Sequence, residues 1–286
     1  MRMAILGGRG TLGTLVAGAL RQRGHEVAAL GRRDGVDALT GEGLDAALAG
    51  VDVVVDALNF QGMSATKARA FFGGTARTLA AAAARAGVKR VVVVSIAGAS
   101  EPEVHRRHGY HAGKAEQEAA YVDAATAAAT GRAAEGAPVT IVHSTQWFEL
   151  VDQMVSMIPL GPAALLPTMR MAAVSAASVA EFVAATAERD AAEDTLPPVR
   201  SVDIRGPEVA TGAELARSIA AVRGTVGGRR PRVVWELPLF GKAIASGGLI
   251  PGGPRGEAVI GAAGGVEPVT IDPVTVREWA GRGERG

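Results

Sequence analysis

Three runs in the first half of the chain are apolar almost throughout: Val51–Ala57 (VDVVVDA), Arg90–Ser95 (RVVVVS) and Val139–His143 (VTIVH). A strand with one solvated face alternates apolar with polar. A run without that alternation belongs to a strand covered on both sides, as in the middle of a parallel sheet. Met3–Leu6 and Glu26–Leu30 are of the same kind. Between these runs lie stretches of helical length and composition, Thr11–Arg23, Gly43–Ala49, Thr66–Ala86 and Tyr110–Ala129. Strand and helix alternating in this way predict an α/β fold, a doubly wound parallel sheet with right-handed crossovers and helices on both faces.

The rhythm weakens after about Gln146. The stretch MIPLGPAALLP carries too much proline and glycine for a regular element. SAASVAEFVAATAERD reads as a helix and VRSVDIRG as a strand, and Thr211 with Glu214 three residues on matches a capping box at a helix start. No fixed-period repeat is present. The expected organisation is a sheet domain over residues 1–160, joined by a later strand near 199–205, and over 161–286 mainly a smaller lobe that builds a substrate pocket, with the chain crossing between the two more than once. The Gly/Pro-rich SGGLIPGGPRG reads as a mobile lid or a connector.

Composition narrows the functional classes. With 286 residues and 48% hydrophobic content, the chain can fill a sizeable core. A net charge of +1 gives no reason to expect nucleic acid or an anionic membrane as partner. There is no cysteine, which excludes disulfides, thiolate catalysis and cysteine-bound zinc. No apolar stretch approaches the ~18 residues of a membrane span, and Met3–Leu6 is too short for a signal peptide. A cytoplasmic protein is expected, a monomer or homodimer acting on a small molecule.

Gly7, Gly10 and Gly13 form G-x-x-G-x-x-G between the first strand and the first helix. In a dinucleotide-binding loop the first glycine makes the tight turn, the second lets backbone approach a pyrophosphate, and the third lets helix pack on strand. The N–H groups that open the helix, at Thr11 and Leu12, then face the phosphates. This makes the sheet domain Rossmann-type. The second strand ends in Gly31, Arg32 and Arg33, where a carboxylate would bind the ribose 2′-OH of NAD. Two guanidiniums there suit a 2′-phosphate, so NADP(H) is the expected cofactor, although both can also be solvated surface residues and Asp34 stands beside them.

Ser95 ends a strand, and Tyr110 and Lys114 follow at i, i+4, one face of a helix. A tyrosine is a poor proton donor or acceptor at neutral pH unless a neighbouring cation stabilises its phenolate. The expected roles are Ser95 holding a carbonyl oxygen, Tyr110 donating the proton, and Lys114 lowering the phenol and binding the nicotinamide ribose. Ser95 as a strand cap and Tyr110 as a surface residue are the plain alternatives. His105, His108 and His111 form H-x-x-H-x-x-H without a zinc-enzyme pattern around them. They read as solvated histidines with no metal, His111 facing the substrate.

GGRGTLG, GVDVVVDA, VKRVVVVSIAG, YHAGKAEQE, VTIVHSTQWFE and IRGPE together resemble the atypical short-chain dehydrogenase/reductases, in particular the NmrA-like NAD(P)H-binding group. The resemblance places Ser95, Tyr110 and Lys114 at the catalytic serine and the Tyr-x-x-x-Lys pair. It puts Gln146 and Trp147 in the substrate pocket, Ala57–Asn59 on the adenosine side of the cofactor and Asp37 near the adenine. It implies an NADPH-dependent reductase of a carbonyl or conjugated double bond. Two alternatives come with the group: an NADP-binding redox sensor without turnover, and an epimerase on the same scaffold.

Overall fold

The structure is a computed structural model that describes residues 1–62, 64–105, 109–132, 136–157, 163–239, 241–251, 259–260 and 266–283. In chain order the elements are β1 (Arg2–Leu6), α1 (Thr11–Gln22), β2 (Glu26–Leu30), α2 (Leu44–Leu48), β3 (Val53–Asp56), α3 (Ala65–Arg85), β4 (Arg90–Ile96), α4 (Pro102–His105), α5 (Gly109–Ala129), β5 (Val139–Ser144) and α6 (Phe148–Met157). They continue with β6 (Ala163–Pro167), β7 (Arg170–Met171), α7 (Ala176–Ala192), β8 (Val199–Arg205), β9 (Ala210–Thr211), α8 (Gly212–Arg223), β10 (Val233–Leu237) and α9 (Gly241–Ala245). The last are β11 (Val259–Ile260), β12 (Val266–Glu267), β13 (Thr270–Ile271) and α10 (Val276–Gly281).

Seven strands form one parallel sheet in the order β13-β8-β5-β4-β3-β1-β2. The chain winds outward from β1 to β2, then returns past β1 to β3 and winds the other way. That reversal leaves a crevice at the carboxyl ends of β1 and β3, where α/β sheets hold ligands. The valine runs alternate between two cores. Val54, Val91, Val93 and Ile141 face α3 and α5, where they meet Ala76, Leu79 and Tyr121. Ile5, Val53, Val55, Val92 and Val94 face α1 and α7, where they meet Val16, Leu20, Val179 and Val183. The alanine content lets the helices come close. A Cβ on Gly113 would lie 2.6 Å from the Phe72 side chain, so α3 and α5 touch at the level of the predicted Tyr/Lys pair.

The smaller lobe has its own core. Phe148, Val151 and Val155 of α6, Leu166 of β6, Leu215 and Ile219 of α8 and Trp279 of α10 pack together. Arg223 places its guanidinium 4.0 Å from the Trp279 ring and bonds Asp152 at 2.8 Å, which ties α8, α10 and α6. The expected capping box closes in both directions: Glu214 N–H donates to Thr211 Oγ1 at 3.3 Å and Thr211 N–H to Glu214 Oε2 at 2.7 Å.

Beyond residue 160 the chain returns to the sheet: α7 packs on α1, and β13 joins the sheet beside the anticipated β8. One expectation is corrected. MIPLGPAALLP is not wholly irregular: Ala163–Pro167 forms β6, paired in parallel with β10. Part of the proposed lid, residues 252–256, lies outside the described residues.

Candidate cofactor and active site

The glycine loop leaves β1 at Gly7, whose φ of +75° favours glycine and where a Cβ would lie 2.7 Å from the Ala57 carbonyl oxygen. At Gly13 a Cβ would fall 2.2 Å from the Gly7 carbonyl oxygen, so the first turn of α1 lies directly on the loop. Gly8, which sequence reasoning passed over, is as crowded, with a Cβ 2.8 Å from that of Ala29 on β2. Gly10 differs. Its backbone is extended, it is exposed, and a Cβ would meet only the Gly7 oxygen at 3.2 Å. It caps α1 with no side chain, so the helix opens onto the crevice without a side-chain acceptor. A cavity of about 370 Å³ lies there, lined by Arg9, Gly10, Thr11, Thr14, Leu15, Glu149 and Ala176. Thr11 is exposed, while Leu12 is buried in the core beneath. A crowded loop with one open glycine at an open helix N-terminus fits a pyrophosphate.

After β2 the backbone turns through Arg32–Asp34 in a single 3₁₀ turn, and both arginines are exposed. Sequence reasoning missed a third guanidinium. Arg9, inside the glycine loop, forks onto Asp34, with Nε 3.2 Å from Oδ2 and Nη2 on Oδ1. The hydrogen bond and the charge of each lower Asp34 and raise Arg9. Asp34 therefore faces an arginine rather than standing alone. Ala57 is half-buried, and Asn59 is exposed with its Oδ1 accepting from Phe60 N–H at 2.9 Å. Asp37 uses its carboxylate in its own turn, accepting from Leu39 and Thr40 N–H.

The inner face of α5 carries a polar stripe in an otherwise alanine-rich helix. Lys114 is 3% exposed, Gln117 0%, Glu118 6% and Tyr121 1%. Polar groups buried this deeply cost several kcal/mol (roughly 2–7 each) unless they are bonded, so every one needs a partner. The partners are the polar residues that interrupt the apolar strands.

In the first branch, Lys114 Nζ donates to the Val94 carbonyl oxygen at 2.8 Å and to Gln117 Oε1 at 2.9 Å, and lies 4.5 Å from the centre of the Phe72 ring. Gln117 Nε2 and Tyr121 OH each donate to Asp56 Oδ2 at 2.8 Å. Burial pulls the Lys114 ammonium down to about 8, and the charges of Asp56 and Glu118 oppose it. Tyr110, one turn earlier, packs edge-on against the same Phe72 ring at 5.7 Å. Burial pushes its phenol up to about 12. The predicted pair is thus brought together around Phe72.

In the second branch, Ser95, His143 and Asp203 stand side by side in register on β4, β5 and β8. Glu118 caps the row. Ser95 Oγ and Ser100 Oγ donate to its two oxygens, and His143 reaches Glu118 Oε1 through Nε2 at 3.3 Å and Asp203 Oδ1 through Nδ1 at 3.5 Å. Ser95 is 1% exposed, and its proton goes to Glu118 rather than toward a carbonyl as expected. Burial disfavours the His143 imidazolium, but hydrogen bonds and charges from Asp203 and Glu118 outweigh it and raise the ring to about 10. Burial likewise raises Glu118, and His143, Ser100 and Ser95 more than reverse this.

This branch gives a pH dependence of stability. A group whose folded value is raised stabilises fully below its unfolded value and loses that contribution as pH rises toward the folded one. For His143 the window runs from 6.5 to about 10. Lys114, lowered to about 8, acts oppositely above that pH, because the folded chain releases its proton first. Between about pH 6.5 and 8 the chain should therefore lose up to about 2 kcal/mol, at a limiting slope of about 1.4 kcal/mol per pH unit. Urea unfolding across this window should show the loss in the wild type and a flatter profile in His143→Gln. A wild-type stability that stays level or rises would contradict the assignment.

The remaining predicted residues lie around the carboxyl ends of β4 and β5. His111 is half-buried with its ring 6.2 Å from Tyr110. Trp147 Nε1 donates to Ser144 Oγ at 3.3 Å, and the Gln146 backbone bonds Val174. Gln146 Oε1 is buried with no hydrogen-bond partner among the described residues, an acceptor that a bound donor would satisfy. In the histidine triplet, His108 and the His105 side chain lie outside the described residues. Among the described ones, no group of three His, Asp or Glu could hold a metal ion, and no helix is long and apolar enough to cross a membrane.

The fold is shared with sugar-nucleotide enzymes. A UDP-galactose 4-epimerase superimposes with a TM-score of 0.62 at 17% identity, covering 98% of both chains. The UDP-glucose 4-epimerase of Thermus thermophilus, in complex with NAD, gives 0.60 at 18% identity, over 82% of this chain and 87% of that one. A dTDP-4-dehydrorhamnose reductase from Yersinia enterocolitica gives 0.61 at 14% identity, over 82% and 83%. No curated protein sequence matches the chain. These identities speak for the fold: a Rossmann-like sheet with a smaller C-terminal region, as in these epimerases and this reductase. The family follows from the sequence itself, since a model described as NAD(P)H-binding matches residues 7–190, glycine loop through α7, and the chain belongs to that NAD(P)H-binding family.

Proposed function

We propose that the chain is an NADPH-dependent oxidoreductase of the NmrA-like short-chain type, reducing a carbonyl or conjugated double bond of a small organic molecule. The observation that carries this reading is Lys114, a buried ammonium one turn from Tyr110 with two of its three protons bonded to Val94 and Gln117. In this reading the third is assigned to the nicotinamide ribose. When bound, the dinucleotide supplies the hydride. Tyr110 holds its proton at neutral pH, because burial raises the phenol, which suits a donor in the reducing direction. Gln146, Trp147 and His111 would shape the substrate end. Ser95 serves in this reading to anchor α5 through Glu118. The substrate partner is a small molecule rather than nucleic acid or membrane, and the setting is cytoplasmic.

Arg32 and Arg33, exposed in the turn after β2, and Arg9, paired with Asp34 of that turn, support NADP over NAD, because guanidiniums there suit a 2′-phosphate. NADPH is expected to bind at least about tenfold more tightly than NADH, and a double Ala variant of Arg32 and Arg33 should lose most of that preference. This follows from charge-assisted bonds of roughly 1.5–3 kcal/mol each, reduced here by exposure. Fluorescence titration of both cofactors tests it, and equal affinities in the wild type would sink the NADP assignment.

One observation favours a second reading, that of an NADP-binding redox sensor. The Ser95 proton is committed to Glu118 rather than offered to a substrate carbonyl. A screen of carbonyl and enone compounds with NADPH, followed by nicotinamide absorbance, separates the two. Turnover supports the enzyme. Tight NADPH binding with no turnover across the screen supports the sensor.

A further inference from the structure

We infer that Asp56 and Gln117 are positioning residues for Lys114: the carboxylate fixes which end of the Gln117 amide faces the lysine, and the amide oxygen then holds the ammonium against β4. The inference rests on Lys114 belonging to the cofactor site.

Asp56 ends β3 and is fully buried. Three donors converge on its carboxylate. Leu58 N–H bonds Oδ1 at 3.0 Å, and Gln117 Nε2 and Tyr121 OH both bond Oδ2 at 2.8 Å. A carboxylate surrounded by donors dictates the Gln117 amide. Turned over, the amide would set its oxygen against the carboxylate and its N–H₂ against an ammonium, an acceptor pair and a donor pair at once. With the amide locked, Oε1 can only accept, and a protonated Lys114 is the donor within reach at 2.9 Å. An interruption such as Asp56 in an apolar strand, or Gln117 in an alanine-rich helix, carries a burial cost that only its bonds offset.

The surroundings of Lys114 are few. From α3 comes the Phe72 ring, from β4 the Val94 carbonyl oxygen, and from β3 the Asp56 charge through Gln117. From α5 itself come Tyr110, Tyr121 and Glu118, the last already engaged by His143 with Asp203 behind it. Asp56 is thus the one of the two nearby carboxylates that no described cation pairs directly. Its removal should weaken proton binding at Lys114, in the same direction in which burial already acts.

The lysines of the chain are Lys67, Lys89, Lys114 and Lys242, few enough to follow one by one by NMR with ¹³Cε-labelled lysine. Asp56→Asn keeps the shape and an acceptor oxygen but removes the charge. Gln117→Met keeps the volume and breaks the chain while leaving the charge, so it reads the inference even where the first variant does not fold. In the wild type Lys114 should titrate near 8, below the usual lysine range. In each folded variant its proton affinity should fall on the order of tenfold, with the others unmoved. NADPH affinity at about pH 7.5 should fall with it. An unmoved Lys114 titration in a folded variant overturns the inference. A shifted titration with unchanged NADPH affinity upholds the positioning by Asp56 and Gln117 and removes Lys114 from the cofactor site instead.

Discussion

Tyr110→Phe is expected to reduce turnover by roughly 10²–10⁴-fold, the contribution of a positioned general acid, while NADPH affinity and thermal midpoint stay near wild type. The substitution deletes one oxygen. The ring contact that seats residue 110 on Phe72 survives, because it is made by the ring edge and not by the hydroxyl. Lys114 keeps Val94 and Gln117, neither of which depends on Tyr110. Lys114→Met should behave differently, losing rate and NADPH affinity together, because the proposed function asks the ammonium both to assist the phenol and to bind the nicotinamide ribose. Steady-state kinetics on both variants, beside cofactor titrations, tests the pair of expectations. A Tyr110→Phe enzyme with near-wild-type turnover would take the tyrosine out of the mechanism and turn attention to His111, whose ring lies 6.2 Å from that of Tyr110.

The parts of this site that the sequence revealed are local. Strand, glycine loop and helix are consecutive, so their spacing alone places Gly7, Gly10 and Gly13, and the i, i+4 relation alone places Tyr110 and Lys114 on one face. Fully apolar runs gave away a sheet covered on both sides, and its strands end within a few residues of where the pattern stops. What escaped is non-local. Arg9 meets Asp34 across 25 residues, through a turn whose direction no local pattern specifies. β6 is short and proline-bounded, and exists because β10 lies alongside it some 70 residues later in the chain. α7 was legible as a helix, but not that its Val179 and Val183 fill the sheet's second core, because that packing joins it to α1 more than 150 residues earlier in the chain.

The polar stripe on α5 was legible in principle. Lys114, Gln117, Glu118 and Tyr121 recur at helical spacing, and polar residues on a surface helix ordinarily mark its solvated side. The strands held the contrary signal. Asp56, Ser95, His143 and Asp203 interrupt runs that must be buried on both faces, so each required a buried polar partner, and α5 is the helix that supplies them. Ser95 was thereby assigned to chemistry by its position at a strand end, while its register beside His143 and Asp203 gives it a place in the network that holds α5 to the sheet.

Gly10→Val and Gly13→Ala should fail in opposite ways, although both remove a glycine from the same loop. At Gly10 the backbone is extended, a conformation valine adopts readily, and only the Gly7 oxygen lies near the new Cβ, at 3.2 Å. The fold should tolerate the side chain, which then occupies the space in front of the open N-terminus of α1. Cofactor affinity should fall at least on the order of 100-fold, about 2.8 kcal/mol, with the thermal midpoint of the free protein little changed. At Gly13 even one methyl group would stand 2.2 Å from the Gly7 oxygen and 2.8 Å from the Gly8 Cα, both backbone atoms that no rotamer change can move. Helix α1 must lift from the loop, and overpacking of this kind costs about 1–3 kcal/mol or more, a drop of roughly 2–4 °C per kcal/mol in a chain of this size. Calorimetry of the free proteins beside NADPH titration distinguishes the two. A folded Gly10→Val that binds NADPH at wild-type strength would mean that the phosphates lie elsewhere, and a Gly13→Ala with an unchanged midpoint would mean that α1 does not press on the loop as closely as its geometry requires.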